Sequence, residues 1–203
     1  MTFKEILNYL RQCDLPGIRS HKKMSFTNRN FEKPSNAIPS AVSILLFQEN
    51  NSIYFPLIKR SNNSIHHKNQ IALPGGKLEP NENIFQCAIR ETNEEIGIPT
   101  HQIFPVRNLT ELYIPVSNYI VYPIITYTTI VPNFIFSNQE VDKIIICSIN
   151  DLLHFTKQYS KVKLSTNVTI NAPSFIFKDE IIWGATALIL NEFKEILMNY
   201  YSV

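Results

Sequence analysis

LPGGKLEPNENIFQCAIRETNEEIGI, residues 73–98, opens on a Pro-Gly-Gly turn and crosses a polar loop. It then places three carboxylates and one arginine within the six residues 90–95. A helix that starts near Asn83 and advances about 100° per residue puts Phe85, Ala88, Ile89, Thr92 and Ile96 in one arc, the predicted buried face. Glu91, Glu94 and Glu95 fall in a second arc, with Arg90 at its margin. Like charges on adjacent turns oppose a helix, and no lysine between residues 83 and 98 offsets them. A hard divalent cation relieves that repulsion, and Mg²⁺ prefers carboxylate oxygens, retained waters and substrate phosphates. An isolated Glu-Glu pair would read as a solvated acidic face; here the spacing of the whole stretch says otherwise.

Gly76, five residues, Glu82, seven residues, Arg90-Glu91, two residues, Glu94-Glu95, one residue, Gly97 and Ile98 resemble the box of the Nudix hydrolases. Every fixed polar and glycine position is filled, and Thr92 stands where that family usually carries an aliphatic residue. The resemblance implies an α/β protein with the Nudix fold, an α/β/α sandwich with a central mixed β-sheet and a catalytic loop-helix. It also implies an enzyme that cleaves a diphosphate linked to another moiety with Mg²⁺ or Mn²⁺. By the same likeness, Glu91, Glu94 and Glu95 match the principal metal ligands, and Glu82 matches a ligand or a group that supports one. The Gly75 carbonyl matches a further metal ligand, and glycine at 75 and 76 permits the close backbone approach this needs. Arg90 matches a residue that holds the box glutamates in place. Glu91 or a glutamate of a later loop, for which Glu140 is the candidate, matches the base.

The remaining composition bounds the answer. With 203 residues, 44% hydrophobic and 18% charged, the chain reads as one globular domain with elaborations: an N-terminal helix and lead-in over 1–36 and the hydrolase domain over 37–203. A net charge of +2 carries no general nucleic-acid or membrane footprint, and no apolar run reaches the roughly 18 residues of a membrane helix. Cys13, Cys87 and Cys147 are odd in number and widely spaced, which predicts reduced thiols and a cytoplasmic location. Residues 3–13 predict an amphipathic helix rather than a secretory signal.

Residues 18–40 are polar and carry Pro34 and Pro39, which predicts an irregular lead-in. Runs over 41–47 and 53–58 predict a pair of strands. The basic strand end Lys59-Arg60-Ser61 could hold a diphosphate or could be simply solvated. His66 and His67 lie in the loop before the box strand, predicted over 70–73; adjacent side chains point apart, so they do not pair on one metal. Runs over 103–114 and 119–131, broken by Pro115, predict the central sheet. The polar loop 137–142 feeds a strand over 143–148. A short helix over 150–155, strands over 162–170 and 174–177, and a final helix from Trp183-Gly184, with Leu188, Ile189, Phe193 and Ile196 inward, complete the chain.

The box defines the chemistry and leaves the leaving group to residues outside it. Arg60-Ser61, His67, Gln70 and Pro74-Gly75-Gly76 resemble the extended pattern of coenzyme A diphosphatases, as do residues 182–187 and Glu140-Val141. Ile65, Asn69 and Leu73 depart from that pattern, which has Arg, Gly and Phe there. This likeness implies that Arg60, Ser61, His67 and Gln70 contact substrate. It further implies that coenzyme A or its acyl derivatives give 3′,5′-ADP and 4′-phosphopantetheine. ADP-ribose or another nucleoside diphosphate derivative is the alternative substrate class. Isopentenyl diphosphate isomerisation and a non-catalytic nucleotide-binding module are alternatives of other classes. The partner implied is a small-molecule diphosphate, coenzyme A-like or a nucleotide, with room left for a homodimer and with no nucleic acid and no membrane.

Overall fold

The long apolar run in the first third of the chain becomes β1 (Ile38–Glu49), the strand on which the others are hung. Asn50 and Asn51 both take left-handed φ, 47° and 62°, the two-residue turn that matches strand twist, and return the chain antiparallel as β2 (Ser52–Arg60). The structure is a computed structural model that describes residues 2–26, 29, 31–61, 68–136, 139–164 and 167–202.

On its other edge β1 pairs in parallel with β7 (Tyr119–Tyr127), from Ile38 opposite Tyr119 to Leu46 opposite Tyr127. The eight-stranded mixed sheet is completed by β3 (Ile71–Ala72) and β8 (Val141–Ser148) against β2, and by β5 (Phe104–Asn108) and β6 (Leu112–Ile114) against β7. The eighth strand, β4 (Gly75–Lys77), takes the edge of β1 at Ser40–Val42, whereas β2 takes that edge at Phe47–Glu49. Along one edge, therefore, β1 changes partner, and the glycine turn enters where the two partners diverge.

Side-chain alternation along β1 divides the molecule into layers. Ala41 and Leu45 face α3 (Ile84–Ile96), whose Cys87, Ala88 and Ile96 join two small clusters with Ile124, Ile58 and Val141. Ile44 and Leu46 face the opposite way, into the main core with α1 (Phe3–Gln12), α4 (Ile149–His154) and α5 (Gly184–Tyr201). A second sheet, β9 (Gln158–Lys163), β10 (Thr169–Phe177) and β11 (Glu180–Trp183), contributes Phe175 and Ile182 to that same core. The mixed sheet between helical layers is the α/β architecture expected.

Four local expectations are corrected. Residues 18–23, expected irregular, form α2 (Ile18–Lys23), because Gly17 turns the chain with φ 69° and tertiary bonds from α5 hold Ser20 and His21. The predicted strand 162–170 is instead two strands, β9 and β10, joined by a turn at Asn167 with φ 63°. Likewise the run 103–114 is divided between β5 and β6. β11 went unrecognised because the Lys178-Asp179 turn, left-handed at both residues, carries no glycine to mark it.

Candidate active site

Asn83 caps α3: its side chain accepts from the backbone of Phe85 and Gln86, and Gln86 reaches back to the Asn83 N–H. Gly97, left-handed at φ 78°, ends the helix. The buried arc differs from the predicted one. Cys87, Ala88, Thr92, Glu95 and Ile96 are buried, while Phe85 and Ile89 are half-buried. The helix is thus rolled so that its carboxylate edge, rather than Phe85, meets the glycine turn.

Glycine makes that contact geometrically available. A Cβ on Gly75 would lie 2.3 Å from the Ala41 carbonyl oxygen and 2.6 Å from the Val42 Cα. One on Gly76 would lie 2.3 Å from Glu91 Oε1. The Gly75 N–H donates to Glu95 Oε2 at 2.8 Å, so one end of the turn is bonded to the helix and the other is seated on it.

Arg90 bonds to three of the four box glutamates. It donates to both oxygens of Glu82 at 2.9 and 3.0 Å, to Glu91 Oε1 at 2.8 Å and to Glu94 Oε2 at 3.0 Å. It also donates to the Lys77 carbonyl at 3.1 Å, tying the helix to the strand after the turn. Glu82 is held below the usual carboxylate range by this guanidinium, which itself is raised chiefly by Glu82. Burial raises Glu91 against the pull of Arg90, and the charges of Glu94 and Glu140 raise it further. Glu95, 2% exposed, is pushed up to about 8 by burial, opposed by Arg60 and the Gly75 N–H and assisted by Glu91 and Glu140.

From the end of β2, Arg60 Nη1 lies 3.5 Å from Glu95 Oε1. Ser61 is buried beside the loop that carries Glu140, and Gln70 accepts the Arg60 N–H through its carbonyl. Lys59, expected as part of a basic strand end, is taken by Glu180 of β11 at 2.9 Å. His67 lies outside the described residues. Reasoning from sequence missed Cys87, whose thiol donates to the Gly76 carbonyl at 3.5 Å and is pushed up to about 12 by burial. It also missed Ala41 and Val42, which wall the turn. The former was legible only as a helix position, and the latter depends on a long-range strand pairing.

Among the described residues no three His, Cys, Asp or Glu side chains converge on one point as a metal cluster. Arg90 draws Glu82, Glu91 and Glu94 together, while Glu95 turns to Gly75 and Arg60. In chemistry the donor set fits a hard cation. It is all oxygen, and its two inner carboxylates are raised by burial and by neighbouring negative charge, the condition a divalent cation relieves.

Comparison with known proteins agrees with this geometry. Nudix hydrolase 3 of Caenorhabditis elegans is 26% identical over 152 residues, 67% of this chain and 63% of that protein, so the chain spans less than two thirds of this relative's length. The Nudix hydrolase NudL of Yersinia pestis (strain Pestoides F) is 25% identical over 140 residues, covering 68% of this chain and 70% of that one. Among solved structures, the MutT protein of Methanosarcina mazei Go1 superposes with a TM-score of 0.53 at 21% identity, covering 82% of this chain and 96% of that chain. The Nudix hydrolase RenU of M. Smegmatis gives a TM-score of 0.56 at 14% identity, covering 87% and 93%. These two show the shared fold. The model of the NUDIX domain matches residues 37–166, well over half of the sequence, and the chain belongs to the Nudix family.

Proposed function

We propose that this protein hydrolyses a diphosphate bond in a small molecule, with coenzyme A or its acyl derivatives as substrate, in a reaction dependent on Mg²⁺ or Mn²⁺. The observation that carries the proposal is the seating of the Glu91 carboxylate on Gly76 while Glu95 accepts the Gly75 N–H. This places acidic oxygens and a side-chain-free turn at one point, where a diphosphate can approach the backbone. Glu91, Glu94, Glu95, Glu82 and the Gly75 carbonyl are the groups that would hold the cation. When bound, the cation supplies neutralisation of charge on the phosphoryl oxygens and eases deprotonation of the attacking water. Arg90 keeps Glu82, Glu91 and Glu94 from splaying before substrate arrives. Glu91, or Glu140 from the loop before β8, takes the proton from water. Arg60, beside Glu95 and partly open to solvent, is placed to meet a phosphate oxygen.

The coenzyme A reading is supported by the sequence pattern around Arg60-Ser61, Gln70 and residues 182–187. The Thr186 hydroxyl donates to the Ile71 carbonyl at 3.1 Å, which fastens residues 182–187 to the strand that follows Gln70. The test is hydrolysis of coenzyme A, acyl-coenzyme A, ADP-ribose and dinucleoside polyphosphates with Mg²⁺ and with Mn²⁺, with products identified. Release of 3′,5′-ADP as the preferred reaction is the expected result. Preference for ADP-ribose would reassign the substrate, and binding without turnover of any of the four would make the chain a nucleotide-binding module.

A further inference from the structure

The pairing of β2 with β8 runs in register from Tyr54 opposite Ser148 to Lys59 opposite Lys143, then skips Asp142 so that Arg60 faces Val141. This is a β-bulge, the device that re-aims a strand end, and here it lies one residue from Ser61. Beyond it Ser61 grips the incoming loop twice: its N–H donates to the Glu140 carbonyl at 2.9 Å and its hydroxyl to the Gln139 carbonyl at 2.5 Å. Ser61 is only 4% exposed, so its hydroxyl is committed to backbone. Because side chains alternate between faces, a slip of one residue would turn Glu140 to the opposite face of the strand end. On the same strand end Arg60 reaches Glu95 of α3. Adjacent residues thus address the box helix and the Glu140 loop.

We infer that Ser61 is a positioning residue that holds the Glu140 loop in the bulged register, acting through backbone rather than by touching substrate. The kinetic consequence rests on the hydrolase reading above; the structural one does not.

Ser61→Ala, with Ser61→Thr to restore the hydroxyl, is assayed alone and combined with Glu140→Gln. Hydrogen exchange over residues 139–142 is followed in wild type and Ser61→Ala. Misplacement of a reacting group by about 1 Å costs up to roughly a hundredfold in rate, so Ser61→Ala is expected to lower kcat about tenfold or more with KM within about twofold. That loss should disappear in the Glu140→Gln background, and exchange over 139–142 should accelerate. A raised KM with unchanged kcat, equal losses in both backgrounds, or unchanged exchange would overturn the inference. If the wild type turns over none of the diphosphates, the hydrolase reading fails while the exchange result still decides the role of Ser61.

Discussion

One methyl group added at Gly75 and one at Gly76 have opposite consequences. The Gly75 Cβ would strike the backbone of buried β1, which cannot yield, so Gly75→Ala is expected to cost about 2–4 kcal/mol of stability in urea denaturation. The Gly76 Cβ would strike only the end of the Glu91 side chain, which can swing away. Gly76→Ala should therefore change stability by less than about 1 kcal/mol while lowering turnover tenfold or more, since it displaces the carboxylate that the proposed mechanism uses. Glu91→Gln is expected to lower turnover by orders of magnitude with an unchanged circular dichroism spectrum; near-normal turnover would remove Glu91 from the mechanism. Glu95 invites a pH experiment on metal-free protein. Its folded pKa of about 8 lies above the ordinary 4.5, so wild type loses stability as pH rises between these values. Glu95→Gln lacks that loss, and its advantage in melting temperature should grow from pH 5 to pH 8; parallel profiles would refute the burial argument. The box positions were legible because each follows from spacing along one helix and its preceding loop. The burial of Glu95 was not, because it depends on how closely β1 lets the helix approach.

At the scale of elements, α3 owes its start to Asn83 and Gln86 rather than to acidic residues in its first turn, of which there are none. Asn83→Ala should cost about 1 kcal/mol in thermal or urea unfolding and leave KM unchanged, because the cap lies at the far end of the helix from Glu94 and Glu95. The start of this helix near Asn83 was readable in advance because its cap is local, whereas its roll was not, since Glu95 rather than Phe85 is buried. The pairing of β1 with β2 was readable too, although both strands run further than 41–47 and 53–58 and the turn is only Asn50-Asn51. The division of residues 103–114 into β5 and β6, and the existence of α2, were not readable. Leu109 turns inward between two strands to bond Pro123, and α2 is held by partners about 170 residues away. A six-residue helix has no stability of its own, so its sequence carries almost no signal.

For the molecule as a whole, the N-terminal segment and α5 share the largest core, with Ile6, Leu7 and Leu10 beside Phe193, Ile196 and Leu197. They are joined by a buried polar knot at Glu192. This carboxylate meets His21 at 3.0 Å and accepts from the Thr110 hydroxyl at 2.6 Å and from the Gly17 and Thr110 N–H groups at 3.3 Å. Burial alone would raise Glu192, but His21, Thr110 and Gly17 together bring it below the usual range. A carboxylate lowered on folding stabilises above its unfolded pKa, and that stabilisation is lost as pH falls through the folded value. Glu192→Ala should cost about 3 kcal/mol near neutrality and less in acid, measured by urea denaturation at several pH values; a cost independent of pH would show the knot to be packing alone. What the sequence determined by itself was whatever is written in short-range spacing: the α/β class, the glycine turn, the acidic helix and its family. The tertiary structure alone decided which carboxylates are buried, which cation each one meets, and that Lys59 is taken by Glu180 while Arg60 and Ser61 reach the box helix and the Glu140 loop. The physical reason is that desolvation and ion pairing depend on the distance between strands and helices far apart in the chain, and periodicity within one element carries no record of that distance.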